Sequence, residues 1–110
     1  MVKFIFPGSA AVTLLAWSII EFGQTYAVQD ELLNALRQIK WYGDFLVKAS
    51  PEPNVVYGQV GDGQSDHAYW GRAENMDTTV QKRDTVVHDE KNPASDLASE
   101  MSAALSARVV

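Results

Sequence analysis

The stretch that decides the fold class is E-L-L-N-A-L-R-Q-I-K-W-Y-G-D-F-L-V-K, Glu31 to Lys48. Its apolar residues recur every three or four positions along one stripe, which is the pattern of an amphipathic helix. The stripe consists of Leu32, Leu36, Ile39, Gly43 and Leu46. Asp30 occupies the position of a helix cap, and Pro51 and Pro53 stop the helix at its other end. The sequence therefore predicts one long helix with clear boundaries.

Two further helices are predicted on either side of it. The first runs from Ala10 to Phe22, with Ser9 as its cap and Gly23 at its end. The other runs from Asp96 to Arg108 and begins with Ser95 or Asp96 as its cap. One face of this last helix carries Leu97, Met101, Ala104, Leu105 and Arg108. The fold class that follows is all-α, with about three helices.

The tryptophans of the first two helices, Trp17 and Trp41, lie on or beside apolar stripes, so we expect both in the core. Residues 50 to 93 show little regular structure, apart from possible short strands at Val55 to Tyr57 and Thr85 to Val87. Such a long irregular span is uncommon inside a compact domain and usually indicates a functional loop. Three helices interrupted in this way do not obviously close a core, which indicates an incomplete fold.

Composition limits the classes of partner. The chain has 110 residues, enough for one small domain or a piece of a larger one. Its net charge of -5 argues against nucleic acid or an anionic membrane as the main partner. The chain contains no cysteine, which excludes disulfides, thiol chemistry and cysteine-ligated zinc. The apolar run from Phe4 to Ile20 fits either the core of a signal peptide or a helix of a globular protein. Because Pro7 and Gly8 interrupt this run, we do not predict that it spans a membrane.

The loop V-G-D-G-Q-S-D-H-A-Y-W, Val60 to Trp70, places polar groups beside aromatic rings. An aromatic face stacks on a pyranose and an imidazole hydrogen-bonds its hydroxyls, so His67 and Trp70 are candidates for a sugar site. In the alternative interpretation, Trp70 packs the loop against a helix and His67 is an ordinary loop residue. Asp66 is predicted to orient the His67 ring by accepting a hydrogen bond. The second histidine, His88, lies in a polar run and is predicted to be solvated.

The acidic residues of the loop do not form a recognised metal motif. Asp62-x-Gln64-x-Asp66 begins like an EF-hand loop, but His67 stands at the sixth position and Ala73 at the twelfth, where glycine and glutamate are required. We therefore predict no metal and no cofactor. Asp62 and Asp66 could form a carboxylate pair for glycoside hydrolysis, although their spacing in a loop does not fix the distance between them.

Several motifs in order along the chain resemble one family. V-G-D-G-Q-S-D-H-A-Y-W-G-R-A-E-N-M resembles the signature loop V-G-D-G-x-x-D-H-x-x-W of glycoside hydrolase family 9, the endo-β-1,4-glucanases. Val2-Lys3-Phe4 with Phe6-Pro7, and then L-L-A-W, resemble that family's V-K-F-G-F-P and the helix after it. Lys48-Ala49-Ser50-Pro51 resembles its K-A-x-P turn, and N-P-A-S-D-L-A-S-E, residues 92 to 100, resembles N-P-G-S-D-L-A-G-E. The resemblance covers nearly the whole chain.

The resemblance implies a partial (α/α)6 barrel, a toroid of six helical hairpins, with residues 1–110 as a fragment of a single catalytic domain. Long loops at one rim of that barrel form the cellulose cleft, which accounts for the irregular span. The signal-peptide interpretation loses support, because Phe4 to Ile20 aligns with an internal barrel helix. Secretion is implied for the parent family, whose signal peptide would lie upstream of Met1.

The resemblance also implies roles for residues of the loop. We expect His67, Trp70 and Tyr69 to contact a β-1,4-glucan, with Asp62, Asp66 and Arg72 supporting them. No nucleic-acid or membrane partner is expected, and unpaired helix faces would favour self-association.

Family members invert the anomeric centre with an aspartate base and a glutamic acid, whose carboxyls lie about 6.5–9.5 Å apart. The base belongs to a D-A-G-D motif directly before the residues matching Val2 to Phe4, and the acid lies beyond Val110. We therefore expect neither catalytic carboxylate in this chain and no activity of the isolated chain. The alternative is a non-catalytic remnant, a weak glucan binder or an interaction protein.

The chain departs from the family pattern at four positions. Ile5 stands where the family has glycine, and Gly8 where a larger residue is usual. Ala94 and Ser99 replace two glycines of the P-G-S-D-L-A-G-E motif. Each of these last two replacements would cost about 1 kcal/mol if the backbone there required a positive φ.

Overall fold

The computed structural model describes residues 2–76 and 83–107. Three long helices dominate this part of the chain, which confirms the helical class, and a small antiparallel sheet accompanies them. The elements in order are β1 (Lys3–Phe4), α1 (Ile5–Val28), α2 (Leu32–Lys48), β2 (Val56–Val60), α3 (Gly63–Ala68), a 3₁₀ turn (Ala73–Asn75), β3 (Thr85–His88) and α4 (Ser95–Ala107).

Helix α1 is longer at both ends than the sequence predicted. Pro7 lies in its first turn, where backbone N–H groups have no acceptor within the helix. The missing N–H of the proline therefore does not interrupt the helix. Ser9, predicted as the cap, is a fully buried residue inside the helix. At the predicted end, Phe22 departs from helical geometry with φ −119° and ψ 21°, so the chain kinks there and continues.

Helix α2 was predicted nearly correctly, but its cap was not. Asp30 does not cap it; instead it adopts φ 59°, in the left-handed region that aspartate tolerates better than most residues, and it forms the tight connection between α1 and α2. Glu31 takes the N-cap position without a side-chain hydrogen bond to the helix. Ile39, Gly43 and Leu46 of the predicted stripe are buried.

The core lies where α1 packs against α4 and α2. It consists of Ile5, Val12, Ala16, Ile39, Leu46, Ala49, Leu97, Met101 and Ala104. A polar contact crosses the α1–α4 interface, where the Thr13 hydroxyl donates to Glu100 Oε1 at 2.9 Å. The buried face predicted for α4 is confirmed by Leu97, Met101 and Ala104, while Arg108 lies outside the described residues.

The prediction that Trp17 and Trp41 lie in the core is wrong. Their exposed fractions are 60% and 72%. Burial of an apolar helix face requires a partner element, and much of α1 and α2 lacks one among the described residues. These open helix faces comprise Leu14, Leu15, Trp17, Ile20, Phe22, Val28, Leu33, Leu36, Trp41 and Val47.

The overall shape agrees with an open layer of helices. The radius of gyration is 16.3 Å and the molecule measures 47 × 38 × 18 Å. A compact domain of about 100 residues has a radius of gyration of about 13 Å. The chain is therefore wide and thin, as expected for a sector of a larger helical structure.

Helix α1 is the one helix of the described residues that is long and apolar enough to cross a membrane, judged by length and composition only. The sequence-based expectation that Pro7 and Gly8 interrupt this segment is wrong, since both lie within the helix. Core helices of globular proteins meet the same criterion. A signal sequence near the N-terminus also meets it. Here α1 packs along both α2 and α4, and 22% of its apolar window is buried.

The expectation of little regular structure between residues 50 and 93 is also wrong. Both predicted strands form and are longer than expected, and β2 pairs antiparallel with β1 on one side and β3 on the other. A register shift between Tyr57 and Gln59 marks a bulge. Within the described residues, the non-glycine positions with positive φ are Asp30 and Asn54. Ala94 and Ser99 therefore do not incur the free-energy cost of a positive φ that was considered for these two replacements of glycine.

Two of the departures from the family pattern, Ile5 and Gly8, lie at the start of α1 and are both close to Tyr42. Ile5 is fully buried, so the added side chain fills part of the core. A Cβ at Gly8 would overlap the Tyr42 hydroxyl. That hydroxyl lies 3.5 Å from the Ile5 carbonyl oxygen, to which it donates. Gly8 thus leaves the space that the Tyr42 ring occupies beside Ile5.

Candidate functional site

The loop that carries the candidate residues begins where β2 ends. Gly61 is buried, has φ 82° and donates its N–H to the Asp84 carbonyl oxygen at 2.8 Å. Glycine adopts this backbone conformation without the steric cost of a Cβ. The turn directs the chain from the sheet into α3, the short helix that contains Asp66 and His67.

Asp62 is the N-cap of α3. Its Oδ1 accepts hydrogen bonds from the Ser65 hydroxyl at 2.6 Å and the Ser65 N–H at 2.7 Å. The hydroxyl contact, and then the backbone contact, hold the pKa of the Asp62 carboxyl below its ordinary value. Asp62 therefore stabilises the start of α3, while its support of a sugar site stays a prediction.

Asp66 joins α3 to the beginning of the chain. Its Oδ1 accepts the Val2 N–H at 2.8 Å, from a residue 64 positions away. This is a different contact from the hydrogen bond to His67 that the sequence suggested. Burial acts to raise the pKa of the Asp66 carboxyl, but the Val2 hydrogen bond, the N-terminal amino group and, least of all, His67 together outweigh it, so the pKa is lowered.

His67 is exposed at the surface of α3, and its ring lies against Phe4 of β1. The ring centroids are 6.4 Å apart, with the planes inclined by 31°. Gly63 makes this arrangement possible, because a Cβ there would come within 2.9 Å of Phe4 Cζ. One ring face of His67 thus has a defined neighbour, while much of the imidazole remains accessible.

Trp70 lies at the apex of a turn that Tyr69 closes. The half-buried Tyr69 donates its hydroxyl to the Arg72 carbonyl oxygen at 2.9 Å. Gly71 accommodates this contact, since a Cβ there would come within 2.6 Å of the Tyr69 hydroxyl. The Trp70 side chain is 95% exposed. The alternative in which Trp70 packs the loop against a helix is therefore wrong.

One surface segment, from the N-cap of α3 to the residue before the 3₁₀ turn, thus contains Asp62, Asp66, His67, Tyr69, Trp70 and Arg72. Sequence reasoning missed five residues that shape it, namely Val2, Phe4, Gly63, Ser65 and Gly71. A hydroxyl three residues after Asp62 is a signal typical of a capped helix start and could have identified Ser65. Nothing local to Phe4 could have revealed its contact with His67.

The second histidine lies apart from this loop. His88 is half-buried rather than solvated as predicted, and its Nδ1 lies 3.2 Å from the Asn92 carbonyl oxygen. It lines a cavity of about 350 Å³ together with Phe6, Gln59 and Asp96. In the part of the chain that the structure describes, no group of three or more histidine, aspartate or glutamate residues is placed to hold a metal ion.

Comparison with known proteins identifies the family. The family model for glycosyl hydrolase family 9 matches residues 1–110, the whole chain. The chain belongs to glycosyl hydrolase family 9. It is 49% identical over 106 residues to endoglucanase 6 of Arabidopsis thaliana and also 49% identical over 106 residues to endoglucanase 2 of rice, Oryza sativa subsp. japonica.

Solved structures of this family share the fold. An endoglucanase of the termite Nasutitermes takasagoensis matches 97% of the chain with a TM-score of 0.89 and 42% identity. The cellulase Cel9M of C. cellulolyticum, whose structure holds cellobiose, matches 97% of the chain with a TM-score of 0.87 and 35% identity. These likenesses confirm the predicted family and its partial barrel fold.

The chain spans only a small part of each relative. It corresponds to 17% of the Arabidopsis protein, 16% of the rice protein and 24% of the termite chain. The thin shape and the open helix faces agree with this, because the relatives contain much more chain than the sector described here.

Proposed function

We propose that residues 1–110 are part of the single catalytic domain of an endo-β-1,4-glucanase and supply part of its glucan-binding cleft. The observation that carries this proposal is the exposure of Trp70, three residues after the exposed His67, on a surface loop of a family 9 chain. A large aromatic side chain that is 95% exposed, on a turn closed by a specific hydrogen bond, is well placed to meet a ligand.

Each residue has a chemical role in this proposal. The Trp70 indole stacks on the apolar face of a glucose ring, and the His67 imidazole hydrogen-bonds a hydroxyl. Tyr69 contacts sugar from the same turn, while Arg72 supports that turn through its carbonyl oxygen. The cellobiose in the C. cellulolyticum cellulase supports a β-1,4-glucan as the ligand class.

Asp62 and Asp66 do not supply the hydrolytic acid and base in this proposal. The proton donor of a glycosidase needs a raised pKa, whereas the pKa of each of these carboxyls is lowered. Both also accept hydrogen bonds that hold α3 in place. We therefore assign catalysis to carboxylates of the parent domain other than these two. Because cellulose is an extracellular polymer, the parent enzyme is proposed to act outside the cell.

Titration with cellotetraose, followed by tryptophan fluorescence, tests the sugar site. We expect a saturable change for the 110-residue chain, with a dissociation constant on the order of 1 mM. Trp70→Ala should abolish this change. Trp41→Ala is the matched control, because it removes another exposed tryptophan from α2 and should leave binding intact. Equal responses of both variants would refute the assignment of Trp70.

A hydrolysis assay tests the assignment of the acid and base. We expect the purified chain to release no reducing ends from soluble cellulose derivatives. Reproducible release that is lost in Asp62→Asn or Asp66→Asn would show that these carboxyls do act in catalysis.

The open helix faces favour a second candidate, a non-catalytic remnant or interaction protein that self-associates. Exposed apolar surface of this extent is typical of a protein interface. Concentration-dependent association without any response to cellotetraose would favour this candidate. Sugar binding that depends on Trp70 would favour the cleft.

A further inference from the structure

We propose that Asp66 and Phe4 are positioning residues that clamp α3 to β1 and thereby fix the place of the His67 imidazole. The proposal rests on the proposed function for what His67 binds. The clamp itself depends only on contacts within this chain.

Helix α3 needs anchors from outside itself. It has six residues, far fewer than the number at which an isolated helix becomes stable in water. The Asp62 cap satisfies the N–H of Ser65 in the first turn. That cap does not determine how the far end, where His67 lies, is placed against the rest of the molecule.

The carboxylate of Asp66 provides the first anchor. It accepts the Val2 N–H at 2.8 Å in a part-buried contact. A hydrogen bond to a carboxylate is shorter and stronger than one between neutral groups. The strand that follows Val2 pairs with β2, with Lys3 opposite Val60, and β2 leads directly into the α3 loop. The hydrogen bond therefore connects α3 to the residue directly before β1, so α3 is held to β1 by this contact as well as through β2.

The Phe4 ring provides the second anchor. It lies against the helix at Gly63 and faces the His67 ring at 6.4 Å. This separation is within the range of favourable aromatic pairs. Asp66 anchors the residue immediately before His67, and Phe4 contacts the His67 ring itself. Together these two contacts fix the position of His67 relative to β1.

The test compares variants of the 110-residue chain by NMR. Asp66→Ala removes the acceptor, whereas Asp66→Asn keeps a weaker one and should partly retain the clamp. Asp89→Ala is the matched control, because Asp89 Oδ1 also accepts backbone N–H groups, from Lys91 at 2.9 Å and Asn92 at 3.0 Å, in a turn away from α3. Gly63→Ala is an independent variant that displaces the Phe4 ring and leaves Asp66 intact.

Three readouts report on the clamp. In Asp66→Ala we expect Val2 amide exchange to become about tenfold faster and cellotetraose affinity to fall about tenfold. The nuclear Overhauser contact between the Phe4 and His67 rings should disappear in Asp66→Ala and weaken in Gly63→Ala. Asp66→Asn should lie between Asp66→Ala and the unchanged protein in all three measurements, and Asp89→Ala should match the unchanged protein.

The clamp is overturned if Asp66→Ala leaves Val2 exchange and the Phe4–His67 contact unchanged. It is also overturned if Asp89→Ala alters them equally, because the effect would then be global. If Asp66→Ala does not fold, Asp66→Asn and Gly63→Ala carry the same comparison. If the unchanged chain binds no cellotetraose, the proposed function fails, and amide exchange and the ring contact still decide the clamp.

Discussion

Exposed tryptophans occur in two regions of this protein, and their surroundings differ. Trp41 lies on the open helix faces among other apolar side chains and lines a groove of about 550 Å³ with Leu15, Tyr42 and Phe45. Trp70 lies on a polar loop whose turn is fixed by the hydrogen bond from Tyr69 to Arg72. Exposure in a wide apolar face is typical of a surface that packs against other protein, whereas exposure on a polar loop held by a hydrogen bond is the setting in which we propose that Trp70 binds sugar.

The largest expected effect concerns the packed side of the helical layer. Leu46 is fully buried between the helices, so Leu46→Ala should lower the free energy of unfolding by about 2–5 kcal/mol. Leu14→Ala, at a position 64% exposed on the open helix faces, should change it by less than about 0.5 kcal/mol. Urea denaturation followed by circular dichroism measures both. Equal losses would mean that the open helix faces are packed in solution.

The next effect concerns the fit between α1 and α2. Gly8→Ala places a methyl group against the Tyr42 hydroxyl and should cost about 1–3 kcal/mol. In a Tyr42→Leu background the ring is gone, so the same change should cost less. A double-mutant cycle by urea denaturation gives the coupling, expected at about 0.5–3 kcal/mol. Additive losses would show that Gly8 and Tyr42 do not share this space.

Substitution of the tryptophans on the open helix faces should weaken self-association, whereas substitution of Trp70 on the loop should not. Trp17→Gln with Trp41→Gln removes apolar area from the open helix faces and should weaken the free energy of association by about 1–2 kcal/mol, which is about 5- to 30-fold in the association constant. Trp70→Gln should leave association unchanged, although Trp70 is the most exposed of the three. Sedimentation velocity over a range of concentrations makes the comparison. Association that depends on Trp70 would assign the loop to a protein interface.

The smallest effect is a pH dependence confined to the loop. The pKa values of Asp62 and Asp66 are lowered in the folded chain. Their contribution to α3 is therefore fully present above the ordinary aspartate pKa of about 3.9 and is lost as the pH falls through the lowered values. The protection of the Ser65 and Val2 amides, taken relative to their intrinsic exchange rates at each pH, should fall there while that of Leu46 does not. Loosening of α3 on raising the pH from 5 to 7, roughly the range of histidine titration, would contradict this sign.

Sequence reasoning succeeded where structure depends on neighbours in the chain. The stripe of α2 and the prolines after it gave that helix almost to the residue, and the α4 face was predicted for the same reason. At α1, Pro7 and Gly8 indicated a break, because the position of a proline relative to the first turn is not visible in the pattern. Residues interpreted as core, such as Trp17, were apolar positions that no other element covers among the described residues.

In the candidate site, too, features that depend on neighbours in the chain were predictable, whereas contacts between distant residues were not. The loop and its residue types were recognisable from Val60 to Trp70, and family resemblance indicated their ligand. The contacts that shape it were not predictable, because Asp66 reaches Val2 and His67 reaches Phe4 across a long separation in sequence. Local spacing suggested a hydrogen bond between the neighbours Asp66 and His67, but tertiary structure supplied a backbone partner for the carboxylate.

The most direct test of the account is to map cellotetraose onto the isotopically labelled chain by chemical-shift perturbation. The two candidate surfaces meet at Phe4, which lines the apolar groove and contacts His67, but their other residues differ: the loop presents His67 and Trp70, and the groove presents Gln38 and Trp41. We predict saturable shifts confined to His67, Tyr69, Trp70 and Arg72. Shifts centred on Gln38, Trp41 and Tyr42, with the loop unchanged, would contradict the assignment of the glucan-binding surface.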